Sequence, residues 1–163
     1  VNGPGTLRRA TSADVPAIVE LIHELAEYER ARDQVEVTVE QLHDALFGTA
    51  PSVFAHVVEE NGELVGYSIW FKNYSTWTGT HGLYLEDLYV RPETRGKGYG
   101  KALLVALAQE AVANGYRRLD WAVLTWNQPS IDFYESLGAL RQDEWVGYRL
   151  TGDALEKVAG QTL

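Results

Sequence analysis

The segment Arg91-Pro92-Glu93-Thr94-Arg95-Gly96-Lys97-Gly98-Tyr99-Gly100-Lys101 holds the residue types most able to do chemistry. Gly96, Gly98 and Gly100 alternate, so the backbone can turn its N–H groups toward one point with no Cβ in the way. A strongly helical stretch begins at Gly98, and a helix N-terminus favours an anion through its unpaired donors and its macrodipole. Arg95, Lys97 and Lys101 concentrate positive charge there. A pyrophosphate held by the amides of Gly96, Lys97, Gly98, Tyr99 and Gly100 is the natural ligand. A nucleotide P-loop needs G-x-x-x-x-G-K-[ST], but Arg95 stands where its first glycine belongs and Ala102 follows Gly100-Lys101. A dinucleotide fingerprint needs G-x-G-x-x-G in an early βαβ unit, whereas this G-x-G-x-G lies mid-chain. The remaining alternative is a basic turn without a ligand, for which three glycines beside three cations is an expensive composition.

Composition bounds the partners. Fourteen Lys+Arg against 23 Asp+Glu give a formal charge of -9, so the average field repels phosphate backbones, and nucleic acid is not an expected partner. There is no cysteine, which excludes disulfides, thiolate metal sites and a thiol nucleophile. His23, His43, His56 and His81 show no H-x-H or H-E-x-x-H spacing, and no metal is expected. Apolar runs are too short to cross a bilayer. The 163 residues fit a single domain, with residues 1–5 outside its ordered part, in a soluble cytoplasmic protein.

The elements that must position the loop follow from periodicity. Thr6 to Ala10 is β-like; Thr11-Ser12 offers caps before Pro16, and Ile18, Leu21, Ile22, Leu25 and Ala26 form the apolar stripe of a helix ending near Glu29 to Ala31. Thr38 to Gln41 reads as a capping box, followed by a short helix stopped at Gly48. Strands over 53–60 and 63–71 flank Asn61-Gly62, a hairpin turn, and 82–90 reads as the next strand. A helix over 98–114, a strand over 119–124, a helix from Pro129 through Leu137, a last strand over 141–150 and a small helix from about Asp153 complete the chain. The fold class is α/β, with a mixed, mostly antiparallel central sheet flanked by helices in the order β-α-α-β-β-β-α-β-α-β. The strand, glycine turn, helix and returning strand from Leu83 to Leu124 form a crossover unit, with a ligand crevice at its turn.

Arg95-x-x-Gly98-x-Gly100 after the strand Tyr84 to Val90 resembles the acetyl-CoA pyrophosphate loop of the GNAT superfamily of N-acetyltransferases, and the element order agrees. Glu27-Tyr28-Glu29, Gly82 to Asp87, Arg95 to Gly100, Trp126 to Ile131 and Phe133-Tyr134 are similar to segments of diamine (spermidine/spermine) acetyltransferases and their thialysine-acetylating relatives, in the same order and spacing. The resemblance spans Leu7 to Val158. It implies acetyl-CoA as co-substrate, carried by Leu88, Tyr89, Val90, Arg95, the loop through Lys101, Asn127 and Ser130. It also implies a small cationic amine as acceptor, direct attack in a ternary complex, and a homodimer.

Acyl transfer to an amine needs a proton acceptor for an ammonium whose reference pKa is about 10.4. Glu86 and Asp87 are the candidate carboxylates. A regular strand aims only one of two neighbours at a site, unless a bulge re-aims the pair. Glu86 is assigned as base, in agreement with the resemblance, which adds a relaying water; a solvated strand edge is the alternative. The resemblance matches Tyr134 to the general acid that protonates the leaving thiol, although Tyr134 also fits a core face with Ile131 and Leu137. Asn127 and Ser130 suit either the pantetheine arm or a helix cap. Tyr28 and Glu29 match polyamine contacts, while Trp121, Trp77 and Tyr89 suit the wall of a cation channel. Trp70, Phe71, Tyr74, Trp77 and Tyr84 suit a core or dimer surface better than substrate contact. Aligning Gly147 puts Val146 where a diamine acetyltransferase has a substrate-binding Glu, with Glu144 nearby. That departure leaves thialysine, lysine-like amino acids, shorter diamines or another amine open. A peptide-amine acetyltransferase and a non-catalytic acyl-CoA sensor are the rival readings.

Overall fold

The computed structural model describes residues 3–162. These form two compact units that divide between Leu124 and Thr125. In the first unit, β1 (Thr6–Arg9), β2 (Phe54–Glu60), β3 (Glu63–Ser75), β4 (Thr80–Val90) and β5 (Leu119–Asp120) lie side by side in chain order in one sheet. All neighbours are antiparallel except β4 and β5, which are parallel. Parallel neighbours need a crossover, and α3 (Tyr99–Ala113) supplies it.

One sheet face is covered by α1 (Val15–Tyr28) and α2 (Val39–Phe47). Ile18 and Leu21 of α1 and Leu42 and Leu46 of α2 pack on Ala55, Val57, Tyr67, Ile69 and Tyr89. Ile18 and Leu21 are fully buried, each contributing about 1.5–3 kcal/mol. The other face carries α3, whose Leu103 joins Val58, Val65 and Val90. Thr38 caps α2 as its sequence indicates: its hydroxyl accepts from Gln41 N at 3.1 Å while Gln41 Oε1 accepts from Thr38 N at 2.9 Å. Asn61 and Gly62 both take positive φ, 55° and 82°, closing β2 and β3 with a two-residue turn. Arg8 bridges Asp14 and Glu59 at 2.7 and 2.8 Å, fastening β1 to the start of α1 and to β2.

Three 3-10 turns, Ser12–Asp14, Arg32–Gln34 and Pro92–Thr94, add to the expected elements. β3 runs to Ser75 rather than Phe71, and β5 pairs only two residues of the expected 119–124. Of the segment 1–5, residues 1 and 2 fall outside the described residues, while Gly5 donates its N–H to Tyr99 Oη at 2.9 Å.

In the second unit, α4 (Gln128–Ser136) and α5 (Gly152–Ala159) are separated by chain that forms no strand. The strand expected over 141–150 is therefore corrected: Gln142 to Trp145 makes a turn, and the rest is exposed and unpaired in any ladder. A β-like composition gives a local preference only. A strand exists through its neighbour's hydrogen bonds, and among the described residues this unit has no second strand to supply them.

Candidate active site

Two irregularities in the sheet shape the site. Between β3 and β4 the register shifts, with Ile69 opposite Asp87 and Trp70 opposite Leu85, so Glu86 is the extra residue of a β-bulge. It leaves Glu86 exposed and Asp87 half-buried. Further along, β4 pairs with β5 only at Leu83 and Tyr84, so the edge of β4 from Leu85 to Val90 has no strand partner on that side among the described residues. Leu88, Tyr89 and Val90 lie on this unladdered stretch directly after the bulge, where Val90 O accepts from Arg95 Nε. Their side chains divide between the faces: Leu88 and Val90 join the α3 cluster, while Tyr89 packs with α1 and sends its hydroxyl to Glu24 at 3.3 Å.

Asp87 and Tyr89 share a face with Tyr67 by the twofold strand repeat. Tyr67, fully buried, donates its hydroxyl to Asp87 Oδ2 at 3.0 Å. Burial pushes the Asp87 carboxyl up to about 6, with the charges of Glu86 and Glu29 adding to the rise and the Tyr67 hydrogen bond opposing it. Glu29, just past α1, is itself raised by burial. Glu86 and Glu29 thus both act on Asp87, and the three carboxyl groups make one acidic cluster.

The glycine turn follows β4 through the 3-10 turn Pro92–Thr94. Gly96 and Gly98 sit at φ 82° and 81°, left-handed values that glycine reaches freely, and Gly98 is the N-cap of α3. With no side chain at the cap, the first-turn amides of Tyr99, Gly100 and Lys101 receive no side-chain partner from it. Gly100 faces open space: a Cβ there would meet only Val90 Cγ2 at 3.9 Å.

The cations of the turn have distinct placements. Arg95 is exposed; its Nε donates to Val90 O at 3.1 Å and its guanidinium lies 5.3 Å from the Tyr28 ring centroid. The glycine turn and the end of α1, far apart in sequence, thus touch. Lys101 is exposed. Lys97 instead reaches Glu60 at 2.5 Å, and Tyr99 Oη donates to the other oxygen of Glu60 at 2.5 Å. Glu60 is held below its usual range by Lys97 first and Tyr99 second. The side chains of Lys97 and Tyr99 brace the loop, which leaves their backbone amides as the groups available to an anion.

Sequence reasoning missed Glu60, Tyr67 and Glu24. Glu24 accepts from Arg91 at 2.9 Å and from Tyr89, joining α1 to the end of β4. No local pattern marks these residues, since each is defined by a partner distant in sequence.

Of the remaining expected site residues, Trp121 lies half-buried just after β5. In the second unit, Asn127 caps α4: its Oδ1 accepts from Ser130 N at 3.4 Å. Tyr134 is half-buried one turn further, its ring 5.4 Å from that of Phe133. Trp70 is buried, whereas Tyr74 and Trp77 at the β3–β4 tip are exposed. Among the described residues no group of His, Cys, Asp or Glu could hold a metal ion, and no helix is long and apolar enough to cross a membrane.

Comparison with known proteins gives this geometry a context. Residues 16–139 match the family described as Acetyltransferase (GNAT) family. The chain is 39% identical to a Bos taurus thialysine N-epsilon-acetyltransferase, covering 95% of this chain and 97% of that one. It is 32% identical to an Arabidopsis thaliana L-ornithine N5-acetyltransferase over 93% of this chain and 86% of that one. A solved integron cassette protein from the mobile metagenome of V. cholerae superposes with a TM-score of 0.82 at 26% identity, covering 98% and 99% of the two chains.

Proposed function

From the premise that the chain belongs to the GNAT acetyltransferase family and is an acetyltransferase, we propose that it moves an acetyl group from acetyl-CoA to the primary amine of a small cationic acceptor. The acceptor class is thialysine, ornithine and other lysine-like amino acids, diamines or polyamines. The supporting observation is the contact of Arg95 with Tyr28, where the anion-binding turn meets the acid-lined end of α1. An enzyme joining a diphosphate-bearing donor to an ammonium needs both charge environments side by side.

The amides of Gly96 to Lys101 hold the diphosphate at the α3 N-terminus, with Arg95 and Lys101 adding charge. The main chain of β4 at Leu88 to Val90 takes the pantetheine arm, and Asn127 and Ser130 are assigned to the same cofactor by the resemblance of their segment to the family. Acetyl-CoA, when bound, supplies the acyl group as an activated thioester. Tyr28, Glu29, Asp87 and Trp121 hold the cationic acceptor. Glu86, pushed outward by the bulge, accepts the ammonium proton through a water. Tyr134 Oη donates a proton to the departing sulfur as the C–S bond breaks. With no cysteine in the chain, attack proceeds directly in a ternary complex. A cytoplasmic homodimer completes the reading.

Thiol release from acetyl-CoA, measured with thialysine, lysine, ornithine, putrescine, spermidine and a peptide panel, tests it. The expected result is turnover with one of the small amines and little with peptides. Tight acetyl-CoA binding without release for any amine would indicate a sensor and overturn the proposal; turnover confined to peptides would move it to protein amines.

A further inference from the structure

Tyr67 has no part in the chemistry described so far, yet its hydroxyl is among the most deeply buried polar groups in the molecule and meets a carboxylate of the acceptor site. We propose that Tyr67 is a positioning residue for amine recognition: its hydroxyl, fixed to Asp87 Oδ2, orients the carboxylate and holds it ionised, leaving Oδ1 to the ammonium. The inference rests on the acetyl-transfer reading of the same site.

Three observations carry it. Tyr67 is packed on all sides by the core between α1, α2 and the sheet, so its ring cannot swing away and the hydroxyl direction is set. Asp87 is opposite Ile69, two residues along β3, on the face that Tyr67 shares, which places hydroxyl and carboxylate within reach at 3.0 Å. The groups facing Asp87 are otherwise acidic: Glu29 from the end of α1 and Glu86 from its own strand. The cation Arg95 of the glycine turn is engaged by Val90 O and the Tyr28 ring. In such surroundings the Tyr67 hydroxyl is the group that favours the charged form, because a donor hydrogen bond stabilises a carboxylate against both burial and like charge. Without it Asp87 would keep its proton further into the neutral range and bind a cation poorly.

The test is Tyr67→Phe, which keeps the ring and removes only the donor. Two readouts are compared: the Asp87 carboxyl titration by carbon NMR on the free protein, and the acid limb of kcat/KM against pH with the amine found active. We expect both midpoints to rise by about half a pH unit or more, with kcat at pH 8.5 within about threefold of the parent and the loss appearing in the amine KM near pH 6. Asp87→Asn should abolish that limb, and adding Tyr67→Phe to it should change the profile no further. A uniform fall in kcat with an unmoved limb would mean that Tyr67 is merely structural and overturns the inference, as would an NMR midpoint that stays in place. If no amine is turned over, the acetyl-transfer reading falls, taking the recognition role with it; an NMR shift standing alone identifies that outcome.

Discussion

The imidazole of His56 accepts a hydrogen bond at Nδ1 from the indole Nε1 of Trp70, 3.1 Å away, in the buried layer of the sheet. The two rings stack at 5.9 Å, and the Arg9 guanidinium lies 4.9 Å from the Trp70 ring centroid. Burial first, and the Arg9 charge second, push the histidine down to about 4 from its ordinary 6.5.

His56 is therefore neutral when folded and takes a proton more readily when unfolded. Its stabilising contribution is complete above pH 6.5 and is lost as the pH falls toward 4, amounting to about 3 kcal/mol over that window. Thermal melts between pH 4 and 8 should show the loss. His56→Gln, which can still accept from the indole but does not titrate, should flatten the curve; an equally steep curve in the variant would assign the loss to other groups.

Asp87 has the opposite sign. Its folded pKa of about 6 exceeds the ordinary 3.8, so protonation favours the folded state: the contribution is present below 3.8 and lost as pH rises through 6. Asp87→Asn should stabilise the protein by about 1–3 kcal/mol at pH 8 and make little difference below pH 4, while raising the amine KM. A variant less stable than the parent at pH 8 would contradict the cost assigned to this buried charge.

Gly100→Ala separates folding from donor binding. A Cβ at Gly100 meets nothing closer than 3.9 Å, and alanine is the better helix former, so the unliganded protein should melt no lower than the parent. The added methyl would point into the space assigned to the diphosphate, and the acetyl-CoA KM should rise about tenfold or more, a loss near 1.4 kcal/mol. An unchanged KM would place the phosphates elsewhere. Gly98→Ala is a poorer probe, because φ 81° makes alanine strained there whether or not the donor binds.

Tyr134→Phe should lower kcat about a hundredfold with acetyl-CoA, in keeping with the usual contribution of a general acid, and leave donor affinity nearly unchanged. A thioester with a more acidic leaving thiol should recover much of the rate. Full turnover in Tyr134→Phe would remove this residue as the acid and leave the fold assignment intact.

The parts of this molecule written in contiguous residues could be read from the sequence, and the parts written across the sheet could not. Asn61-Gly62 forms the turn its residue types demand, Thr38 and Gln41 cap α2 reciprocally, and Gly96 and Gly98 adopt left-handed geometry at the head of α3. Each depends on neighbours within four residues. The β4 bulge is different: nothing in Leu85-Glu86-Asp87-Leu88 declares that Glu86 is skipped, because the skip is a property of its alignment with Ile69 and Trp70. Tyr67, Glu60 and Glu24 acquire their roles through partners 20 to 67 positions away. The segment 141–150 shows the converse, a strand-like composition that finds no ladder in its own unit.

The tie from Gly5 through Tyr99 to Glu60 and Lys97 has a practical meaning for anyone preparing this protein. A purification handle fused ahead of Thr6, or a truncation that trims the residues before it, acts on the same brace that steadies the glycine turn. Donor affinities from tagged and untagged preparations should therefore be compared before either is taken as native.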